Sequence, residues 1–181
     1  MFETFHTKNK TKGEFHMNSK KSSFFLAQAG LIAALYVCLS LLSNMMGMAN
    51  GIIQVRLSEA LTILPIFTPA AIPGLFVGCL LSNLLTGCLP LDIIFGSLAT
   101  LLGAFGTYLL KKRKRLALIP PILSNTIIVP LILMYVYRFE GGLPFFMLTV
   151  GIGEIISCGV LGFFLYEIIN KYHLYKIFYY S

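Results

Sequence analysis

Long apolar runs, separated by short polar or turn-forming stretches, dominate the chain after residue 23. A transmembrane helix needs about 20 consecutive apolar residues, because each residue adds only about 1.5 Å to a helix that must cross a hydrocarbon layer of about 30 Å. Turn signals divide the apolar part of the chain into six such pieces. The pattern therefore predicts an all-α integral membrane protein with six transmembrane helices in one bundle.

Prolines and polar stretches set the limits of the six predicted spans. The second span is short because Pro65 and Pro69 remove backbone N–H donors. The fifth is expected to be kinked or to begin late, since it contains Pro120, Pro121 and Pro130. The predicted spans cover residues 24–46, a short stretch from residue 57, 71–86, 91–110, 116–137 and 144–170. They form one domain (23–171) between an N-terminal tail (1–22) and a C-terminal tail (172–181).

Basic residues predict the orientation of the bundle. Twelve of the 14 Lys and Arg residues fall in three places: the N-terminal tail, residues 111–115 and the C-terminal end. Cytoplasmic loops of membrane proteins carry an excess of Lys and Arg, and six spans place all twelve on one face, opposite Arg56 and Arg138. Both termini are therefore predicted to be cytoplasmic, with Met17 as an alternative translation start. The net charge of +7 is then a topological signal, and anionic lipid headgroups rather than nucleic acid are the expected neighbours.

The composition argues against an enzyme. With 57% hydrophobic and 12% charged residues and a mean hydropathy of +0.82, the chain cannot build a soluble domain with a polar shell. Its four Cys residues lack metal-ligand spacing, and its three His residues lie in the tails. No Gly-x-x-x-x-Gly-Lys-Ser/Thr loop occurs for ATP phosphates. We expect no catalytic residue, no metal site and no cofactor.

Acidic side chains inside apolar segments are the clearest functional signal. Glu59, Asp92 and Glu154 are costly in a bilayer unless they face a bundle interior or a water-filled cavity. In the predicted topology Glu59, Asp92 and Asn83 lie near the outer ends of three helices, and Glu154 lies about 15 Å below the outer end of a fourth. Polar groups from four helices thus share the outer half, as a ligand cavity open to the outside would require.

Three of these residues also have structural interpretations. Asp92 could be the N-terminal cap of its helix, because Asp is a favoured capping residue. Asn83 could bridge two helices by hydrogen bonds. Glu59 could lie in the headgroup region and pair with Arg56, three residues earlier. Both interpretations of each residue remain open from the sequence.

Glu154 is harder to explain structurally, because no basic residue occurs in its own predicted span. Gly151 and Gly153 precede it and would let another group approach the backbone closely. The segment 51–56, which ends in Arg56, is predicted to cover the cavity. These features favour ligand contact by Glu154.

Small residues form a stripe in the cytoplasmic half of the first span. Ala29 and Ala33, like Gly30 and Ala34, are four residues apart, and such pairs allow close helix packing in lipid. The stripe predicts a helix contact, either within this protein or with a partner.

Two sequence blocks resemble the queuosine precursor transporter (QueT) family. They are IQVRLSEALTILPIFTPAAIPG at residues 53–74 and DIIFGSLAT at residues 92–100, and the similarity extends over about residues 23–171. The resemblance implies the substrate-binding S component of an energy-coupling factor (ECF) transporter in a bacterial plasma membrane. Such a component works with a transmembrane T subunit, on which it docks through a motif similar to Ala29-x-x-x-Ala33, and with two ATPase subunits.

The family's substrates, 7-deazaguanine precursors of queuosine, offer a guanine-like edge with two adjacent donors. Glu59 or Glu154 is expected to accept both donors, because one carboxylate can bind two parallel N–H groups. Asn83 is expected to donate to the ring carbonyl. Asp92 would balance the charge of a 7-aminomethyl group, so the three acids favour an aminomethyl or related cationic substrate over the neutral 7-cyano form. Queuine is a further possible substrate.

Other functions remain as alternatives. A different S component would share the architecture and take up another vitamin, whereas a self-sufficient carrier would use Asp92 or Glu154 as a proton relay. An intramembrane enzyme is the least supported. Three aromatic residues are candidates for stacking on the substrate, namely Tyr36, Phe95 and Phe146.

Overall fold

The computed structural model describes residues 3–49 and 53–178, with side chains from residue 21 onward. Within these ranges the chain is entirely helical, without a β-strand, which confirms the predicted all-α class. The main helices are α1 (Glu3–Met45), α2 (Ala71–Leu85), α3 (Pro90–Leu109), α4 (Ile119–Tyr135), α5 (Leu143–Glu154) and α6 (Gly162–Lys171). A 3₁₀ helix (Leu57–Ile66) precedes α2, and a π-helical segment (Ile155–Leu161) joins α5 to α6.

Among the described residues, four helical stretches are long and apolar enough to cross a membrane: Lys21–Met45, Pro90–Leu109, Leu116–Tyr135 and Leu143–Lys171. Two further apolar helices, Leu57–Ile66 and Ala71–Leu85, are shorter than a full span. The six pieces occupy the positions that the sequence predicts. Four of them qualify as spans by length, so six crossings remain a prediction. α1 also extends back through the predicted N-terminal tail to Glu3.

The 3₁₀ helix lies in the middle of the bundle. It contacts α1, α3, α6 and the π-helical segment, and residues 58–65 are all buried. Pro65 cannot donate a backbone hydrogen bond, and irregular backbone is tolerated at membrane depth when protein surrounds it. A side chain helps to satisfy the buried backbone carbonyl of Glu59, which accepts a hydrogen bond from Thr62 Oγ1 at 2.6 Å.

Close backbone contact between α1 and α2 explains half of the small-residue stripe. A Cβ atom at Gly74 would lie 2.7 Å from the Ala29 carbonyl oxygen, and one at Gly78 would lie 3.0 Å from that of Ala33. Ala29 and Ala33 are buried in this contact. The structure thus assigns this pair to packing within the protein, whereas Gly30 and Ala34 remain on the exposed face of α1.

Prolines near the start of α4 fit against glycines of α3. A Cβ atom at Gly103 would lie 2.6 Å from Pro121 Cα, and one at Gly106 would lie 2.5 Å from Pro120 Cβ. The sequence predicts that this span is kinked or begins late. Pro120 and Pro121 in fact lie in the first turn of α4 after a short 3₁₀ turn (Leu116–Leu118), where a missing N–H is tolerated.

The C-terminal segment Leu174–Phe178 folds back on the bundle as a short 3₁₀ helix. Phe67 stacks on Phe178 with ring centroids 6.2 Å apart, and Gln28 Nε2 donates to the Ile177 carbonyl oxygen at 3.4 Å. The predicted C-terminal tail is therefore packed against the bundle as far as residue 178. Residues 179–181 lie outside the described part of the chain.

Candidate functional site

Two adjoining cavities lie at one end of the bundle, with volumes of about 300 Å³ and about 20 Å³. Four residues line both of them: Gln54, Arg56, Asp92 and Val129. The larger cavity also has Asn83 in its wall, and the smaller one has Glu59 and Glu154. All five residues that the sequence predicts to bind substrate therefore come together here: Arg56, Glu59, Asn83, Asp92 and Glu154.

The carboxyl group of Glu59 is held by donors from two other helices. It is 2% exposed, so it lies inside the bundle and not at its surface. Tyr36 of α1 donates its hydroxyl to Oε1, and Asn125 of α4 donates Nδ2 to Oε2 at 3.4 Å. This network fixes the position of a buried acid that would otherwise be strongly destabilising.

Glu154 lies beside Glu59, with a thiol between the two. Cys158 Sγ is 3.1 Å from Glu154 Oε2 and 3.9 Å from Glu59 Oε2. All three residues are buried, and their ligand atoms lie within 4.8 Å of one another. That spacing would suit a metal ion, but a hydrogen bond from the single Cys158 S–H to Glu154, the nearer carboxyl group, accounts for the position of the thiol.

Asp92 occupies the third position of α3 and points to the larger cavity. Its Oδ2 accepts a hydrogen bond from the Tyr137 hydroxyl at 2.8 Å, and the Leu89 backbone N–H donates to the same hydroxyl oxygen at 3.3 Å. The N-terminal cap of α3 is Leu89, without a side-chain hydrogen bond. The capping interpretation of Asp92 is therefore wrong, because the helix begins two residues before it at Pro90.

Asn83 and Asp92 converge above Gly96. A Cβ atom at Gly96 would lie 3.1 Å from Asp92 Oδ1 and 3.2 Å from Asn83 Nδ2. The Asn83 amide also lies 3.7 Å from the Cys79 sulfur, one turn earlier in the same helix. This geometry favours a place in the cavity wall for Asn83 over a hydrogen-bonded bridge between helices.

The segment before the 3₁₀ helix lies against α5 and the π-helical segment. A Cβ atom at Gly153 would lie 2.1 Å from the Gln54 carbonyl oxygen, so the close approach predicted at this glycine occurs. The Arg56 backbone N–H donates to Ser157 Oγ at 3.1 Å, and the Arg56 side chain interacts electrostatically with Glu59 and Asp92. Of the predicted cover 51–56, residues 51 and 52 lie outside the described part of the chain.

Sequence reasoning missed two polar partners of the acids, Asn125 and Tyr137. Asn125 is a polar residue in an apolar span, the same signal that identifies Asn83. No sequence signal places the Tyr137 hydroxyl on Asp92, because the contact joins a loop to a distant helix.

The three aromatic residues that the sequence suggests for stacking on the substrate are not among those that line the larger cavity. Tyr36 is fully buried with its hydroxyl on Glu59. Phe95 is 47% exposed, and Phe146 is buried. In the described part of the chain, the aromatic residues lining the larger cavity are Tyr137 and Phe139, whose ring centroids lie 5.6 Å apart.

Comparison with known proteins points to one group. A family model described as QueT transporter matches residues 26–171. A curated protein of Lactococcus lactis subsp. cremoris (strain MG1363), called queuosine precursor transporter QueT, is 33% identical over 82 residues, which are 45% of this chain and 48% of that protein. The match thus spans about half of the length of the curated relative. No solved structure matches the chain.

Proposed function

Because this chain belongs to the QueT transporter family, we propose that it is the S component of an ECF importer for 7-deazaguanine precursors of queuosine. In this proposal the protein binds the substrate from outside and takes energy from partner ATPases. The observation that carries it is the pair of buried carboxyl groups, Glu59 and Glu154, in the wall of the smaller cavity. A cavity of about 300 Å³ adjoins that wall, which is at the lower end of the usual range for small-molecule sites.

The hydrogen bonds of Glu59 and Glu154 support different roles for the two acids. Glu59 accepts donors from Tyr36 and Asn125 on its two oxygens, so we assign it to positioning. Glu154 accepts the Cys158 thiol, a weak donor that a ligand N–H can replace. Glu154 therefore accepts hydrogen bonds from the two donors of the guanine-like edge. Asn83 and Asp92 face the opposite side of the substrate.

We propose six crossings with both termini in the cytoplasm of a bacterial cell. The cavity wall comes from the end of α1, the end of α2, the start of α3 and the segment after α4. Residues 111–115, with five consecutive cations, lie at the opposite ends of α3 and α4. Since such cations stay in the cytoplasm, the cavity opens outward.

The proposed partners are a transmembrane T subunit and two ATPase subunits. Burial of Ala29 and Ala33 leaves Gly30 and Ala34 as the exposed small residues for T-subunit docking. Replacing both with Leu should abolish co-purification with the T subunit but leave ligand binding by the isolated protein unchanged. Retained co-purification would place the docking surface elsewhere.

A titration of the purified protein tests the substrate class. The ligands are 7-cyano- and 7-aminomethyl-7-deazaguanine, queuine, guanine, thiamin and biotin, followed by thermal shift and calorimetry, because a ligand of the native state raises the melting temperature. A response to a deazaguanine alone supports the proposal. A response to a vitamin alone would indicate another S component.

Transport in vesicles tests the dependence on partners. We expect uptake only when the T subunit and the ATPases are present. Uptake driven by a pH gradient in vesicles containing this chain alone would instead support a self-sufficient carrier.

A further inference from the structure

Tyr137 is hydrogen-bonded to Asp92, an acid that lines both cavities. It lies beyond the end of α4, in the segment that leads to α5, and its hydroxyl donates to Asp92 Oδ2 at 2.8 Å. The hydroxyl oxygen in turn accepts the Leu89 N–H at 3.3 Å, and the ring stacks on Phe139. Tyr137 and Asp92 both line the larger cavity, so a ligand in that cavity meets this hydrogen bond directly.

We propose that Tyr137 is a specificity residue. Its hydroxyl donates a hydrogen bond to Asp92 in the empty protein, and a protonated amine on the ligand displaces it. This inference rests on the proposed function, because it concerns the same cavity and the same class of substrate. It assigns Asp92 as the amine subsite and Tyr137 as the competitor for it.

The chemistry of the donors decides which ligands can displace the tyrosine. A hydrogen bond from a cationic amine to a carboxylate is about twice as strong as one between neutral groups. An ammonium group can therefore replace a phenol on Asp92, whereas a nitrile has no donor and leaves Tyr137 in place. A phenol has a pKa of about 10, so the Tyr137 hydroxyl keeps its proton at neutral pH and competes as a donor.

The charged residues of the two cavities favour a cation at this position. Among the described lining residues there are three carboxyl groups, Glu59, Asp92 and Glu154, and one guanidinium, that of Arg56. Arg56 and Asp92 line both cavities. Because a carboxylate favours an opposite charge beside it, an amine on the ligand is attracted to Asp92.

Two ligands that differ mainly in charge test the inference. Dissociation constants of the 7-aminomethyl and 7-cyano deazaguanines are measured by calorimetry on purified full-length wild type, Tyr137→Phe and Asp92→Asn. We expect Tyr137→Phe to tighten binding of the amine about fivefold, the equivalent of one neutral hydrogen bond, and to leave the nitrile within about twofold. Asp92→Asn should weaken the amine roughly tenfold or more and remove the preference for it.

Matched controls separate a specificity role from a structural one. Tyr135→Phe makes the same chemical change two residues earlier, on a side chain that is 70% exposed, and should alter neither affinity. If Tyr137→Phe weakens both ligands equally, Tyr137 only supports the cavity and the inference is wrong, while the proposed function stands. If wild type binds neither ligand, the proposed function fails and the inference fails with it.

Discussion

Individual hydrogen bonds decide how this bundle tolerates buried acids. Glu59 is a buried carboxyl group, and its two oxygens accept donors from α1 and α4. A buried acceptor that loses its donor keeps the full cost of its desolvation. The residues around Glu59 should therefore matter for stability as well as for binding.

Tyr36→Phe tests this network. The change removes the hydroxyl that donates to Glu59 Oε1 and keeps the ring, so we expect a loss of about 1–3 kcal/mol in the free energy of unfolding. Thermal melting in detergent measures it. Tyr172→Phe, on a side chain that is 64% exposed, should change stability by less than about 0.5 kcal/mol. Equal melting temperatures for both variants would contradict the role given to Tyr36.

Glu154→Gln tests whether Glu154 accepts the two N–H groups of the guanine-like edge. An amide cannot accept two parallel N–H groups as a carboxylate does, so ligand affinity should fall by about 2–3 kcal/mol, equivalent to a dissociation constant roughly 30 to 150 times higher. Glu140→Gln, an exposed acid in the segment between α4 and α5, is the control and should bind normally. Unchanged affinity in Glu154→Gln would make Glu154 a structural residue.

At the scale of the elements, the segment before the 3₁₀ helix is fixed by its contact with α5. The Gln54 backbone passes directly over Gly153, and the Arg56 N–H bonds to Ser157. Both contacts fall on the stretch where α5 gives way to the π-helical segment. Such π-helical turns often occur at functional sites. Here the turn carries Ser157, which accepts the Arg56 N–H, and Cys158, whose Sγ lies 3.1 Å from Glu154 Oε2.

Gly153→Ala should displace that segment. The new methyl group would lie 2.1 Å from the Gln54 carbonyl oxygen, so the backbone must shift and move Arg56 with it. We expect ligand affinity to fall roughly tenfold and stability to fall by about 1–3 kcal/mol. Gly159→Ala is the matched control, because its nearest contact would be 3.7 Å away. A Gly153→Ala protein that binds as tightly as this control would contradict the model of the segment.

The positions of the helices could be read from the sequence, whereas their internal geometry could not. Hydropathy locates apolar stretches, and α3, for example, begins and ends within one residue of the predicted 91–110. It does not distinguish a 3₁₀ helix from an α-helix at residues 57–66, because that difference depends on packing on every side. Likewise, Glu59, Asp92 and Glu154 were found from charge in apolar segments, whereas the contact of Tyr137 with Asp92 depends on long-range packing.

For the whole molecule, the cavity and the main cation cluster lie at opposite ends of the bundle. Cys88, between α2 and α3, lines the larger cavity and is partly exposed. Residues 111–115 lie between α3 and α4 at the far end. The proposed orientation therefore makes these two positions accessible from different sides of the membrane.

Labelling intact cells with a membrane-impermeant maleimide tests this orientation. Wild type should be labelled at Cys88, and Cys88→Ala should not. Adding Lys112→Cys to Cys88→Ala should restore labelling only after the cells are permeabilised. Labelling of the second variant in intact cells would reverse the topology and place the cavity on the cytoplasmic side.

The contact between α1 and α2 has a mechanical consequence. Where Gly74 and Gly78 meet α1, no layer of flexible side chains separates the two backbones, and close-packed interiors are hardly compressible. A tilt imposed on α1 must then be followed by α2, which carries Asn83 to the cavity wall. The two helices therefore move together. A force applied at the exposed face of Gly30 and Ala34 would displace Asn83 and so change its contact with a bound ligand.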